Sequence, residues 1–147
     1  MDEMCELPAF RTSDEEAGAL LRRAKTIAVV GCSTNTDKPS HYVPKYLKEH
    51  GYRILPVNPT AKGHTLLGET VYGSLKEITS PIDIVDIFRP PKDVPPIVDE
   101  AIAIGAKAVW MQEGIVNNEA AARARKAGLQ VVMDKCMMKV HRFMEGR

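Results

Sequence analysis

The feature that most constrains this chain is a run of apolar residues that recurs between helical patterns. Thr26-Ile27-Ala28-Val29-Val30 is apolar at almost every position and ends at Gly31. A strand with one wet face alternates apolar and polar residues, whereas an unbroken run suits a strand covered on both faces, as in a parallel sheet. Arg53-Ile54-Leu55-Pro56-Val57, Ile82-Asp83-Ile84-Val85-Asp86-Ile87-Phe88, residues 107–111 and Gln130-Val131-Val132-Met133 read as further strands. Pro56 cannot donate to a ladder, which argues for a position near its strand's end or toward the sheet's edge.

Helical spacing fills the intervals. Val43, Tyr46, Leu47 and His50 precede Gly51; Val94, Ile97, Val98, Ala101 and Ile102 precede Gly105; residues 119–127 precede Gly128. In each case the glycine marks the helix stop. Ser13 with Glu16 three residues later forms a capping box that opens a helix to Arg23. Residues 58–68 are turn-rich, a short strand is expected at 69–72, and a terminal helix at 136–144. Residues 1–12 read as a loose tail and 13–147 as one domain. Strands alternating with helices predict an α/β protein, a three-layer, Rossmann-like, doubly wound and mostly parallel sheet.

Composition narrows the function classes. The 147 residues, 44% apolar, suffice for one core. Twenty basic and nineteen acidic side chains are interspersed, for a net charge of +1. A protein living on phosphate contacts to nucleic acid would show a basic excess or stripe. The start, Met-Asp-Glu-Met-Cys-Glu, is acidic and lacks a leader's apolar stretch, and no apolar run has the length of a membrane span. Cys5, Cys32 and Cys136 are odd in number, widely spaced and form no CxxC pair, against a disulfide framework or zinc cage. His41, His50 and His64 lack metal-ligand spacing, so no metal is expected. A cytoplasmic protein with free thiols, without membrane or nucleic-acid partners, is the expectation; a homo-oligomer is neither demanded nor excluded.

In an open α/β sheet, ligands lie outside the carboxyl ends of the strands, where strand order reverses. This selects the strand-end loops at Gly31-Cys32-Ser33, Asn58-Pro59, Arg89-Pro90-Pro91, Gln112-Glu113-Gly114 and Asp134-Lys135-Cys136. The first loop, residues 31–40, carries the richest chemistry. Gly31 allows a sharp turn and close approach of a phosphate, amides at the helix start favour an anion, Ser33 and Ser40 add hydroxyls, and Lys38 adds charge. The alternative is a strand–helix turn that binds nothing, with Ser40 as a helix cap. A dinucleotide fingerprint would place glycines where Ser33 and Thr36 stand, and an NAD site would place an acid where Asn58 stands. The loop therefore points to a phosphorylated nucleotide and away from NAD.

The chain resembles the single-domain coenzyme A-binding proteins, relatives of the CoA-binding domain of the succinyl-CoA synthetase alpha subunit. The resemblance is carried by residues 27–40 with G-C-S then K-P-S, by Val57-Asn58-Pro59, and by Gly68-Glu69 followed by Tyr72-Gly73-Ser74-Leu75. It continues through Asp83-Ile84-Val85-Asp86-Ile87-Phe88-Arg89, Val109-Trp110-Met111-Gln112-Glu113-Gly114 and Asp134-Lys135-Cys136-Met137-Met138-Lys139, covering residues 20–144. It implies coenzyme A across the strand ends. Gly31, Cys32 and Ser33 would line the pyrophosphate, and Lys38 would face a phosphate, flanked by Pro39, Ser40 and His41. Asn58 and Pro59 would border the nucleotide; Phe88, Arg89 and Gln112 would follow the pantetheine. Family members often carry arginine where Lys38 stands and a small residue where Cys32 stands. The synthetase's phosphohistidine and nucleotide-binding parts lie outside this domain, so its activity does not transfer.

Catalytic readings are weaker. Asp134, Cys136 and His141 invite a triad that spacing alone does not build. The nucleophile elbow needs a glycine where Asn35 stands. With no complete catalytic constellation, the expected function is binding of coenzyme A or an acyl-CoA by a non-catalytic carrier, sensor or regulator. One alternative is a Rossmann-type enzyme using a nicotinamide cofactor or acting on acyl-CoA. Another is a thiol-regulated protein capped by CoA at Cys32.

Overall fold

The structure, a computed structural model, describes residues 6–146. Helix α1 (Asp14–Arg23) leads into β1 (Thr26–Val30), α2 (Pro39–Glu49) and β2 (Arg53–Val57). A small antiparallel hairpin follows, β3 (Thr65–Leu66) with β4 (Glu69–Thr70). The chain then runs through β5 (Ile84–Ile87), α3 (Val94–Ala103), β6 (Ala108–Met111), α4 (Asn118–Lys126), β7 (Gln130–Val132) and α5 (Met137–Glu145). The five-stranded sheet has the order β2-β1-β5-β6-β7, parallel throughout. This is the expected Rossmann-like α/β architecture, with β2 and its Pro56 at an edge. The capping box is also present: Glu16 N donates to Ser13 Oγ at 3.0 Å and Ser13 N to Glu16 Oε1 at 3.1 Å.

Two cores explain the unbroken apolar runs. Ile27 and Val29 of β1 pack beneath α1, α2 and α5 with Leu21, Leu47 and Met137. Ala28 and Val30 face the opposite way, toward Val94 and Val98 of α3 and Ala120 and Ala124 of α4. Successive strand residues point to opposite faces, so a sheet sandwiched between helix layers needs apolar groups at both parities. Trp110 of β6 is fully buried and donates from Nε1 to Lys135 O at 2.8 Å, tying β6 to the loop after β7.

The stretch ahead of α1, read from sequence as a tail, is bonded to the domain over residues 6–12. Ala9 N donates to Asn118 Oδ1 at 2.7 Å and Asn118 Nδ2 to Leu7 O at 2.8 Å. Thr12 Oγ1 donates to Val131 O, and the Arg125 guanidinium lies 4.1 Å over the Phe10 ring. Cys5 falls outside the described residues. Among the described residues, no helix is long and apolar enough to cross a membrane, and no cluster of His, Cys, Asp or Glu could hold a metal ion.

Candidate ligand-binding site

Strand order reverses between β1 and β5. The chain leaves β1 for α2 on one face of the sheet and leaves β5 for α3 on the other, which opens a crevice at the carboxyl ends. Gly31 sits at this point with φ +87°, where a Cβ would lie 2.7 Å from the Phe88 carbonyl oxygen and 3.1 Å from Arg89 Cδ. Glycine is required there because the exit of β5 crosses against it. The Cβ side of Gly31 is thus occupied by the protein's own backbone.

The following turn is largely braced by its own polar groups. Gly31 N donates to Val57 O at 2.9 Å, Ser33 N to Ser40 O at 3.1 Å, and Lys38 N to Asn35 O at 3.1 Å. Asn35 N donates to Ser33 Oγ and Asp37 N to Asn35 Oδ1, each at 3.0 Å. The acceptor at Ser40 exists because Pro44 lies inside α2. Proline has no N–H, so the Ser40 carbonyl four residues earlier is left open and takes the Ser33 amide. Pro39, the first residue of α2, likewise offers no amide. Among the described residues, the amides of Cys32, Thr34, Thr36 and Ser40 have no protein acceptor, and the Lys38 ammonium has no carboxylate partner.

Asn58 is a clasp. Its Nδ2 donates to Cys32 O at 2.9 Å, while its Oδ1 accepts from Thr60 N at 3.0 Å and Thr60 Oγ1 at 2.8 Å. His41 is buried with Nδ1 2.7 Å from Ser33 O, so it fixes the turn from beneath. Cys32 is fully buried, and desolvation, with the Asp86 charge adding to it, pushes its thiol up to about 12. Thiolate is the reactive form, and this shift disfavours it at Cys32 near neutral pH.

Two cavities meet over the crevice. The larger, about 950 Å³, lies between the turn at Gly31, Ser33 and Thr34, the turn at Asn58, Pro59 and Thr60, residues 73–75 and the start of α3. The smaller, about 420 Å³, is walled mainly by Pro39, Tyr42, Val43, Ile115, Cys136 and Met138. Lys38, Ser40, Phe88 and Arg89 line both and form a waist between them. Of the residues selected from sequence, Gly31, Ser33, Asn58 and Pro59 line the larger cavity, Pro39 and Gln112 the smaller. Cys32 and His41 line neither, since both side chains turn inward and only their backbone borders the turn. Every strand-end loop singled out above contributes to one cavity or both.

Tyr42 and Ile115 were not among the residues selected from sequence, and Met138 stood there only within the run that carries the resemblance. The available signal was position: Tyr42 and Met138 lie in the first turns of helices that follow strand ends. Met137 is buried in the core while Met138 faces the smaller cavity, a split that composition does not reveal. Lys139 Nζ pairs with both carboxylate oxygens of Glu113 at 3.1 Å beside that cavity.

Behind the smaller cavity lies a buried carboxyl. Gln112 Nε2 donates to Asp86 Oδ1 at 2.7 Å, and Gln112 Oε1 accepts from Met137 N at 3.4 Å. Asp86 Oδ2 has no partner among the described residues. Desolvation lifts the Asp86 pKa to about 7 against the opposing pull of the Gln112 bond.

Residues 25–142 match the family model described as a CoA binding domain. The chain is 42% identical to the YneT protein of Bacillus subtilis (strain 168) over 129 residues, 88% of this chain and 94% of that one. It is similar to the structure of cell-free ID.343 from Thermus thermophilus, with a TM-score of 0.86 and 43% identity, covering 90% of this chain and 99% of that one. It is also 31% identical over 122 residues to the alpha subunit of an ADP-forming acetate–CoA ligase I of Pyrococcus furiosus. That match covers 74% of this chain but only 26% of the ligase subunit.

Proposed function

The chain belongs to the CoA binding domain family, and from that premise we propose that it binds coenzyme A or an acyl-CoA across the two cavities. The observation that carries this reading is the waist shared by a larger cavity of mixed polar and apolar lining and a smaller, mostly apolar one. Coenzyme A has the same division, a phosphorylated nucleotide and a long neutral arm joined by a pyrophosphate. In this reading the nucleotide occupies the larger cavity beside Asn58 and Pro59. The pyrophosphate passes Lys38, Arg89 and the hydroxyls of Ser33 and Ser40, and the pantetheine arm enters between Phe88, Pro39 and Gln112. Mostly apolar walls with a few polar anchors suit such an arm.

The role is binding without catalysis, as a carrier, sensor or regulator. Asp134 Oδ1 is taken by Gly114 N at 2.7 Å, and His141 Nδ1 is 2.8 Å from Tyr46 Oη, which argues against these residues forming a triad with Cys136. Ligation by the archaeal relative belongs to a chain of which this one spans about a quarter. Asn58 is neutral and its side chain is already bonded to Cys32 O and Thr60, which weighs against a nicotinamide cofactor.

Titration calorimetry with coenzyme A tests the reading. One molecule should bind per chain, and Lys38→Ala should raise Kd roughly five- to tenfold, the loss of about 1–1.5 kcal/mol for a charge-assisted contact at an exposed side chain. Unchanged affinity in Lys38→Ala would remove that residue from the site.

A further inference from the structure

The two cations of the waist differ in one respect. Lys38 has no carboxylate partner among the described residues, whereas Arg89 Nη2 donates to Asp93 Oδ2 at 2.8 Å. The Arg89 stem crosses over Gly31, where a Cβ would meet its Cδ at 3.1 Å, so the side chain bridges the exits of β1 and β5. Arg89 lines both cavities, and Asp93 lines the larger one together with Glu100. A molecule filling both cavities must pass the guanidinium, part of whose donor fork is already committed to a carboxylate.

We propose that Asp93 is a positioning residue that limits affinity by competing with the ligand's phosphoryl oxygens for Arg89. This deepens the binding reading above and rests on it. Phosphate and carboxylate accept the same parallel N–H pair from a guanidinium. A phosphoryl group that takes the Nη2 donor as part of such a pair displaces Asp93 from it. Asp93 therefore lowers affinity for phosphorylated ligands and acts through Arg89. The pair is latched without ligand and opens when a phosphoryl group arrives.

The test is a double-mutant cycle on the full chain, titrated with coenzyme A and separately with ADP at one fixed salt concentration. Asp93→Asn should tighten both ligands about three- to fivefold, the range expected for releasing an exposed ion pair. Arg89→Ala should weaken both, and adding Asp93→Asn to Arg89→Ala should change nothing further. Unaltered affinity in Asp93→Asn would overturn the proposal, as would equal tightening with and without Arg89, which would mark Asp93 as a general repulsive charge. If the unmodified chain binds no coenzyme A, the binding reading itself fails and takes this proposal with it. Normal binding with no Asp93 effect sinks the proposal alone.

Discussion

Gly31→Ala is expected to destabilise the domain by about 2–5 kcal/mol, from left-handed backbone strain combined with a steric clash. The residue has φ +87°, and the added methyl would sit 2.7 Å from the Phe88 carbonyl oxygen, a backbone atom with no rotamer by which to escape. Gly105 provides the control. It also has a positive φ, +75°, but nothing lies within 4 Å of its Cβ position. Gly105→Ala should therefore cost only the conformational part, about 1–2 kcal/mol. Urea unfolding of both variants separates strain from collision: the midpoint should fall much further for Gly31→Ala, with the slope unchanged. Equal midpoints would mean that β5 does not press on Gly31. Since Phe88 and Arg89 form the waist, any shift that relieves the collision should also weaken coenzyme A binding.

Asp86→Asn should stabilise the protein at pH 8 and have little effect at pH 4. The folded carboxyl titrates at about 7 against an ordinary value of 3.8. Between those values the folded state holds a proton that the unfolded chain has released. The stability contributed by protonated Asp86 is thus fully present below pH 4 and is lost as pH rises through 7. A shift of three units corresponds to about 4 kcal/mol, and relaxation around the buried site reduces it, so a gain of about 1–4 kcal/mol is expected at pH 8. Asparagine keeps an acceptor for the Gln112 amide. Thermal unfolding of both proteins from pH 4 to 8 should give curves that diverge across this window. Parallel curves would mean that Asp86 stays ionised throughout, and its role as a neutral buried acid would be lost.

These effects also mark how far residues announce their own roles. The run from Thr26 to Val30 was legible because two helix layers demand apolar groups at both parities. Pro56 was legible because a missing donor belongs at an edge. Gly31 was recognisable as a special position, but the reason lay in Phe88, which is distant in sequence and adjacent only after β1 and β5 pair. The same limit hid the fate of the loop amides. Nothing local to Ser33 indicates that Pro44 frees a carbonyl to occupy it. The hairpin of β3 and β4 was seen only as a turn-rich stretch with one short strand. Each of its strands is two residues long, too short for a period-two pattern, and its reversal uses Leu67 at φ 52° beside Gly68. Cys32 and His41 were drawn to the site by proximity in sequence. Which way a side chain turns beside a glycine is set by tertiary packing, and both turn inward.

The most direct test of the account is a crystal structure grown with saturating coenzyme A. The pyrophosphate should lie between Lys38 and Arg89, with the nucleotide in the larger cavity, the pantetheine arm against Pro39, Phe88 and Met138, and the Arg89–Asp93 bond opened. Coenzyme A bound elsewhere on the surface, or a crevice left empty at saturation, would contradict it.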